Sequence, residues 1–239
     1  MKKKEITKIL DENRGTRNIP FRILISLYDF YSKKKIEIFK DNKNTHLIER
    51  YNGIYFSIPK NAQTSFSKLF NKISKVRKVK KDSVICKNNF KFTIIRNPYD
   101  RLVSLYLNKI KNPNAKDFRK GIFCGFLKYN KFYENMPFNE FVRVIHSIPD
   151  KISDPHLKSQ YLHISDNKGN ILVDYIGYFE SLEKNYLEIC KRLNIINPPK
   201  LPHEEKSKRE DYKNYYNEKT KKLVEERYCK DFELFGYKF

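Results

Sequence analysis

Residues 56–66 read FSIPKNAQTSF. An apolar run from Gly53 to Ile58 stops at Pro59, and Lys60 follows at once. Thr64 and Ser65 then open a segment whose apolar residues Phe66, Leu69, Phe70 and Ile73 recur at helical spacing. The stretch is strand, turn and helix, with a cation and two hydroxyls in the turn. The same order recurs further on: FKFTII (residues 90–95) reads as a strand, Arg96 stands at its end, and PYDRLVSLYLNKI (98–110) is a helix with proline in its first turn. A third strand, Ile171 to Phe179, leads into a helix over Ser181 to Leu193. This alternation predicts an α/β fold: three αβα layers, a mostly parallel central sheet and a P-loop-like turn at residues 59–65.

At 239 residues, with 18 Phe and 17 Tyr, the chain is long enough for one folded unit, 1–239, with a substantial core. Residues 3–50 are polar and helical in pattern, a segment without an assigned role. Asn197 to Glu210 reads as a surface loop, and no repeat or linker divides the chain. The four cysteines are far apart, and their spacing indicates neither a zinc site nor a disulfide framework.

Lys and Arg outnumber Asp and Glu by 50 to 28, a net charge of +22. The lysines are spread along the whole chain, a compositional bias more than a dedicated basic arm, so no nucleic-acid partner is expected. No apolar stretch reaches the roughly 18–20 residues that span a bilayer. The basic start, MKKKEITKIL, lacks an apolar leader, and the expectation is a soluble, cytoplasmic protein.

In parallel sheets, ligands bind where strands end and helices begin, because the first backbone N–H groups of a helix are unpaired and carry partial positive charge. Phosphate suits that position. Lys60 adds a full charge, and Thr64 and Ser65 can cap the helix and donate hydroxyls. The turn lacks the glycines of a Walker loop, in which the lysine directly precedes the Ser or Thr. Arg96 and Ser104, eight residues apart on the second unit, are placed to hold a second anion.

PKNAQTSF followed by FTIIRNPYDRLVSLY resembles the two nucleotide motifs of sulfotransferases that use 3′-phosphoadenosine 5′-phosphosulfate (PAPS), in the branch with the Golgi carbohydrate sulfotransferases and bacterial relatives. DPHLKSQYLHI resembles that branch's His-x-x-x-Gln segment. VDYIGYFESLEKNYLEIC and the C-terminal YNEKTKKLVEERYCKDFELFGYKF are also similar to it. Many relatives carry a small residue where this chain has Gln63.

The resemblance implies roles residue by residue. Lys60, with Asn61, Ala62, Gln63, Thr64 and Ser65, would hold the 5′-phosphosulfate, and Lys60 would stabilise charge on the departing bridging oxygen. Arg96 and Ser104 would bind the 3′-phosphate. No metal is implied. His156 is the first candidate for the base that takes the acceptor's proton, with Glu134 as the alternative; Arg101 and Glu180 read as structural. The acceptor, a saccharide hydroxyl by resemblance, would be shaped by residues 111–160. A P-loop kinase, or a nucleotide- or polyanion-binding protein without activity, remains the competing reading.

Overall fold

A computed structural model describes residues 44–81, 83, 88–111, 132–133, 135–202 and 210–239. Five strands form one sheet: β1 (Thr45–Ile48), β2 (Gly53–Phe56), β3 (Val76–Lys78), β4 (Phe90–Ile95) and β5 (Tyr175–Tyr178), in the order β3-β1-β2-β4-β5. The pairs β2–β4 and β4–β5 are parallel, while β1 runs antiparallel to both β2 and β3. The parallel half is the half that carries the two motifs.

Seven α-helices lie among the described residues: α1 (Gln63–Ile73), α2 (Pro98–Tyr106), α3 (Phe138–His146), α4 (Gln160–Ile164), α5 (Leu182–Arg192), α6 (Glu218–Arg227) and α7 (Cys229–Phe235). Side chains alternate across the sheet, so neighbouring strand residues serve different cores. Tyr55, Phe92 and Ile94 pack with Phe66, Leu69 and Phe70 of α1 and with Tyr186 and Ile189 of α5. On the opposite face, Ile54, Phe56 and Ile95 pack with Ile164 of α4 and Phe235 of α7. These are the three layers. A separate core joins α2, through Tyr99, Leu102 and Leu105, to Phe141 and Ile145 of α3 and Val224 of α6.

Several sequence expectations change. The helical reading of residues 3–50 fails at Thr45–Ile48, which is strand β1: its His46 and Leu47 alternate between the faces of the sheet, a period that helical pattern-matching misreads. Residues 1–43 lie outside the described residues. The third strand is shorter than expected, Tyr175–Tyr178, because Ile171 instead bridges back to Ser165. The helix expected to run to Ile110 ends as α-helix at Tyr106 and continues as a π-turn over Leu107–Lys111. Pro98 and an Asn97 side chain accepting from the Tyr99 N–H start α2.

Candidate active site

Strand β2 delivers its chain into the turn at Ser57–Ala62, and the turn is bent by two non-glycine residues in the left-handed region, Lys60 (φ 73) and Ala62 (φ 57). Ala62 is the residue before α1, and it offers no side-chain cap. Thr64 and Ser65 were expected to cap. They stand instead inside the first turn of α1, because the helix begins one residue earlier, at Gln63. The first N–H groups of a helix have no acceptor within it, so this turn directs donors at the space above β2. Thr64 is exposed there and Ser65 is buried. Gln63 turns sideways and donates to Ser57 Oγ at 3.2 Å.

The turn's strained shape is held by four side chains. Asn61 is fully buried, and its Nδ2 donates to Ile94 O at 2.9 Å and to Gln160 Oε1 at 2.6 Å. Arg96, at the end of β4, donates from Nη1 to Lys60 O at 2.9 Å. Arg101 on α2 donates from Nε to Pro59 O at 3.1 Å. Gln160, the first residue of α4, also accepts from Arg96 N at 2.9 Å and donates to Arg96 O at 2.8 Å. The Arg96 side chain is thus joined directly to the backbone of Lys60.

Arg96 is buried, its Nε pairs with Asp100 Oδ2 at 2.7 Å, and its guanidinium lies 4.1 Å from the centre of the Phe179 ring. Ser104 is half-buried one helical turn after Arg101, so the two share a face of α2, the one that meets the turn. No hydrogen bond joins Ser104 to Arg96. Beyond Ser104, Asn108 in the π-turn accepts from Lys60 Nζ at 3.2 Å.

His156 sits in the bend before α4. Its backbone N–H and its Nδ1 both meet Asp154 Oδ1, at 2.8 and 2.7 Å. With Nδ1 carrying the proton toward that carboxylate, Nε2 is left as the basic nitrogen. Arg101 ties this bend to the turn: besides Pro59 O it donates to Lys158 O at 2.9 Å, His156 O at 3.1 Å and Pro155 O at 3.4 Å. Burial pushes its guanidinium pKa down, against the opposing pull of Tyr228, Asp231 and Asp150. The structural reading of Arg101 holds, and so does that of Glu180, which accepts from Asn97 N at 2.7 Å and from the Tyr237 hydroxyl at 2.8 Å. Glu134 and residues 112–131 of the expected acceptor region lie outside the described residues.

Sequence reasoning gave no role to Asp100, Gln160 or Asp231. Asp100 was legible as an acid one turn after an Arg. Gln160 stood in the His-x-x-x-Gln segment with nothing to say which backbone it would meet. Asp231 accepts from Gln160 N at 2.8 Å and Tyr161 N at 2.9 Å, and burial raises its pKa to about 6. It lies too far along the chain for any local pattern to reveal.

Among the described residues no helix is long and apolar enough to cross a membrane, and no cluster of three or more His, Cys, Asp or Glu is arranged to hold a metal ion. A family model described as the sulfotransferase family matches residues 22–238. A carbohydrate sulfotransferase 10 from Xenopus laevis is 27% identical over 168 residues, and one from Danio rerio is 27% identical over 173. Each match covers 62% of this chain and 47% of the relative, so the chain spans about half the length of these curated relatives. No solved structure matches the chain at a significant level. The expectation of a cytoplasmic protein is corrected by the same matches: the relatives are carbohydrate sulfotransferases, and the expectation is withdrawn.

Proposed function

The chain belongs to the sulfotransferase family, and we propose that it transfers a sulfuryl group from PAPS to a hydroxyl of a saccharide. The observation that carries this reading is the joining of Lys60 to Arg96, by one 2.9 Å hydrogen bond, at the carboxyl ends of two adjacent parallel strands. The Arg96 guanidinium and the Lys60 backbone meet there beside a helix N-terminus, an arrangement suited to a donor with phosphates at both ends of its ribose. The names of the curated relatives support a saccharide acceptor.

The 5′-phosphosulfate lies against the first turn of α1, where the N–H groups of Gln63, Thr64 and Ser65 and the Thr64 hydroxyl face it. The 3′-phosphate lies between Arg96 and Ser104. The acceptor oxygen attacks sulfur in line, the S–O bond to the phosphate breaks, and the electron pair leaves on the phosphate oxygen, which Lys60 stabilises. The acceptor's proton passes to His156 Nε2, with Asp154 holding the ring. By analogy with phosphoryl transfer, most of the acceleration comes from positioning and preorganised charge.

The test is label transfer from sulfur-labelled PAPS to a panel of saccharides, with Lys60→Ala as control. Because Lys60 acts on charge that develops during transfer, its loss should lower turnover by about a hundredfold or more even with saturating donor. A variant that keeps wild-type turnover removes Lys60 from the reaction. A wild-type chain that neither transfers label nor prefers the 3′,5′-bisphosphate product over 5′-AMP sinks the donor assignment itself.

A further inference from the structure

Gln160 does something a packing residue has no need to do. Its side-chain amide exchanges two hydrogen bonds with the backbone of a single residue, accepting from Arg96 N at 2.9 Å and donating to Arg96 O at 2.8 Å. That is the pattern of one rung in a β-ladder, so the amide stands in for the next strand residue just past the end of β4. The same Oε1 also accepts Asn61 Nδ2 at 2.6 Å. Gln160 is completely buried, and its own backbone is fixed by the 2.8 Å bond from its N–H to Asp231. One rigid amide therefore connects the residue next to Lys60 with the backbone of Arg96.

We infer that Gln160 is a positioning residue that sets the distance between the 5′-phosphate and 3′-phosphate subsites, so that a nucleotide carrying both phosphates is gripped as one ligand. The inference rests on the donor reading above. Its physical basis is preorganisation. A ligand with two anchors gains from the second only if the two subsites already stand at its own spacing, whereas a ligand with one anchor is indifferent to that spacing. Arg96 Nη1 to Lys60 O ties the same two segments through one long side chain; Gln160 ties the backbone of Arg96 to the buried side chain of Asn61.

The experiment titrates adenosine 5′-phosphate, adenosine 3′-phosphate and adenosine 3′,5′-bisphosphate into the full chain by calorimetry, for wild type, Gln160→Leu and Gln160→Glu, with thermal unfolding as the check on folding. In wild type the bisphosphate should bind at least about tenfold more tightly than either monophosphate, the value of one further charge-assisted contact. In Gln160→Leu that advantage should shrink by about tenfold, while each monophosphate changes by less than about threefold. A general structural defect lowers all three together, and that result overturns the inference. So does a folded Gln160→Leu that keeps the full advantage. If Gln160→Leu does not fold, Gln160→Glu decides: it keeps an oxygen that accepts from Asn61 and Arg96 N and puts a second acceptor oxygen where the donor to Arg96 O stood. An advantage reduced at least about threefold supports the inference, and an unchanged one defeats it. A wild-type chain with no preference for the bisphosphate is a different failure, that of the donor reading.

Discussion

Replacing Arg96 by Ala separates affinity from stability, because the guanidinium has distinct duties on its different edges. Nη1 holds Lys60 O at 2.9 Å, Nε holds Asp100 at 2.7 Å, and the flat face covers Phe179. For the ligand, the proposed donor reading makes the lost group a charge-assisted contact to the 3′-phosphate, worth about 1.5–3 kcal/mol, so the bisphosphate should weaken roughly ten- to a hundredfold. 5′-AMP has no such phosphate and should weaken by no more than about threefold, through the looser Lys60 turn. For the fold, the Arg96 and Asp100 side chains are only 8% and 14% exposed, so the variant removes the Arg96 cation from a nearly buried pair. Removing one partner of a buried pair costs about 3–5 kcal/mol, and the residual exposure of Asp100 points to the lower end. At roughly 2–4 °C per kcal/mol for a chain of this size, the midpoint should fall by about 6–12 °C. Isothermal titration with both nucleotides, beside a thermal melt, reads all three quantities. Equal weakening of bisphosphate and 5′-AMP in a folded variant refutes the reasoning. Adding Ser104→Ala should cost less than the two single losses together, since both groups meet one anion.

His156→Asn should abolish most turnover, by about a hundredfold, while bisphosphate affinity stays within about twofold; single-turnover transfer at saturating donor measures it, and retained turnover moves the base elsewhere. Arg101→Lys keeps the charge but cannot reach Pro59 O and the three carbonyls of residues 155–158 together, so turnover should fall about tenfold or more in a chain that still folds. If only the melting point moves, Arg101 does not position the two halves of the site. Burial and the neighbouring Lys78 press the His46 imidazole pKa down to about 4. Its unfolded value lies near 6.5, so the stabilisation it gives is complete above that pH and is lost as pH falls toward 4, about 2 kcal/mol after allowing for partial exposure. Urea melts between pH 7 and 4 should show His46→Gln with a flatter profile, and parallel profiles would exclude His46 as the cause.

The two strand-turn-helix units were legible because each is local. Apolar β2 and β4, helical spacing at Phe66, Leu69 and Phe70, and Pro98 after Asn97 are all patterns within a dozen residues. The same locality explains what was missed. Strand β3 is short and is a strand because it pairs with β1, which no window around residue 77 contains, while β1 pairs with β2 across residues 49–52, a hairpin that the helical reading of residues 3–50 cuts at its turn. In the site, Lys60 and Arg96 were proposed from charge and position, and His156 from the resemblance. Of what joins them only Arg101 was read, as structural; Asn61 and Gln160 act through backbone carbonyls and amides that every residue possesses. The assumption that hydroxyls at a helix start must cap it failed at Thr64 and Ser65, where a left-handed Ala62 does the turning.

That left-handed turn has a consequence for the order in which the molecule assembles. Lys60 and Ala62 occupy a conformation that costs a non-glycine residue about 1 kcal/mol or more each, and the local bonds, Asn61 N to Ile58 O at 3.2 Å and Gln63 Nε2 to Ser57 Oγ at 3.2 Å, do not fix it alone. The bonds that do come from 36 residues away at Arg96, 42 at Arg101 and 99 at Gln160, and Gln160 itself waits on Asp231, 71 residues further along. Contacts of such separation close late. The sheet and its flanking helices can exist before the turn takes its shape, whereas the turn cannot precede them. In a folding experiment, nucleotide binding should therefore be among the last properties acquired, lagging behind strand and helix signals. Under gentle denaturation it should be among the first lost, while most of the chain is still folded.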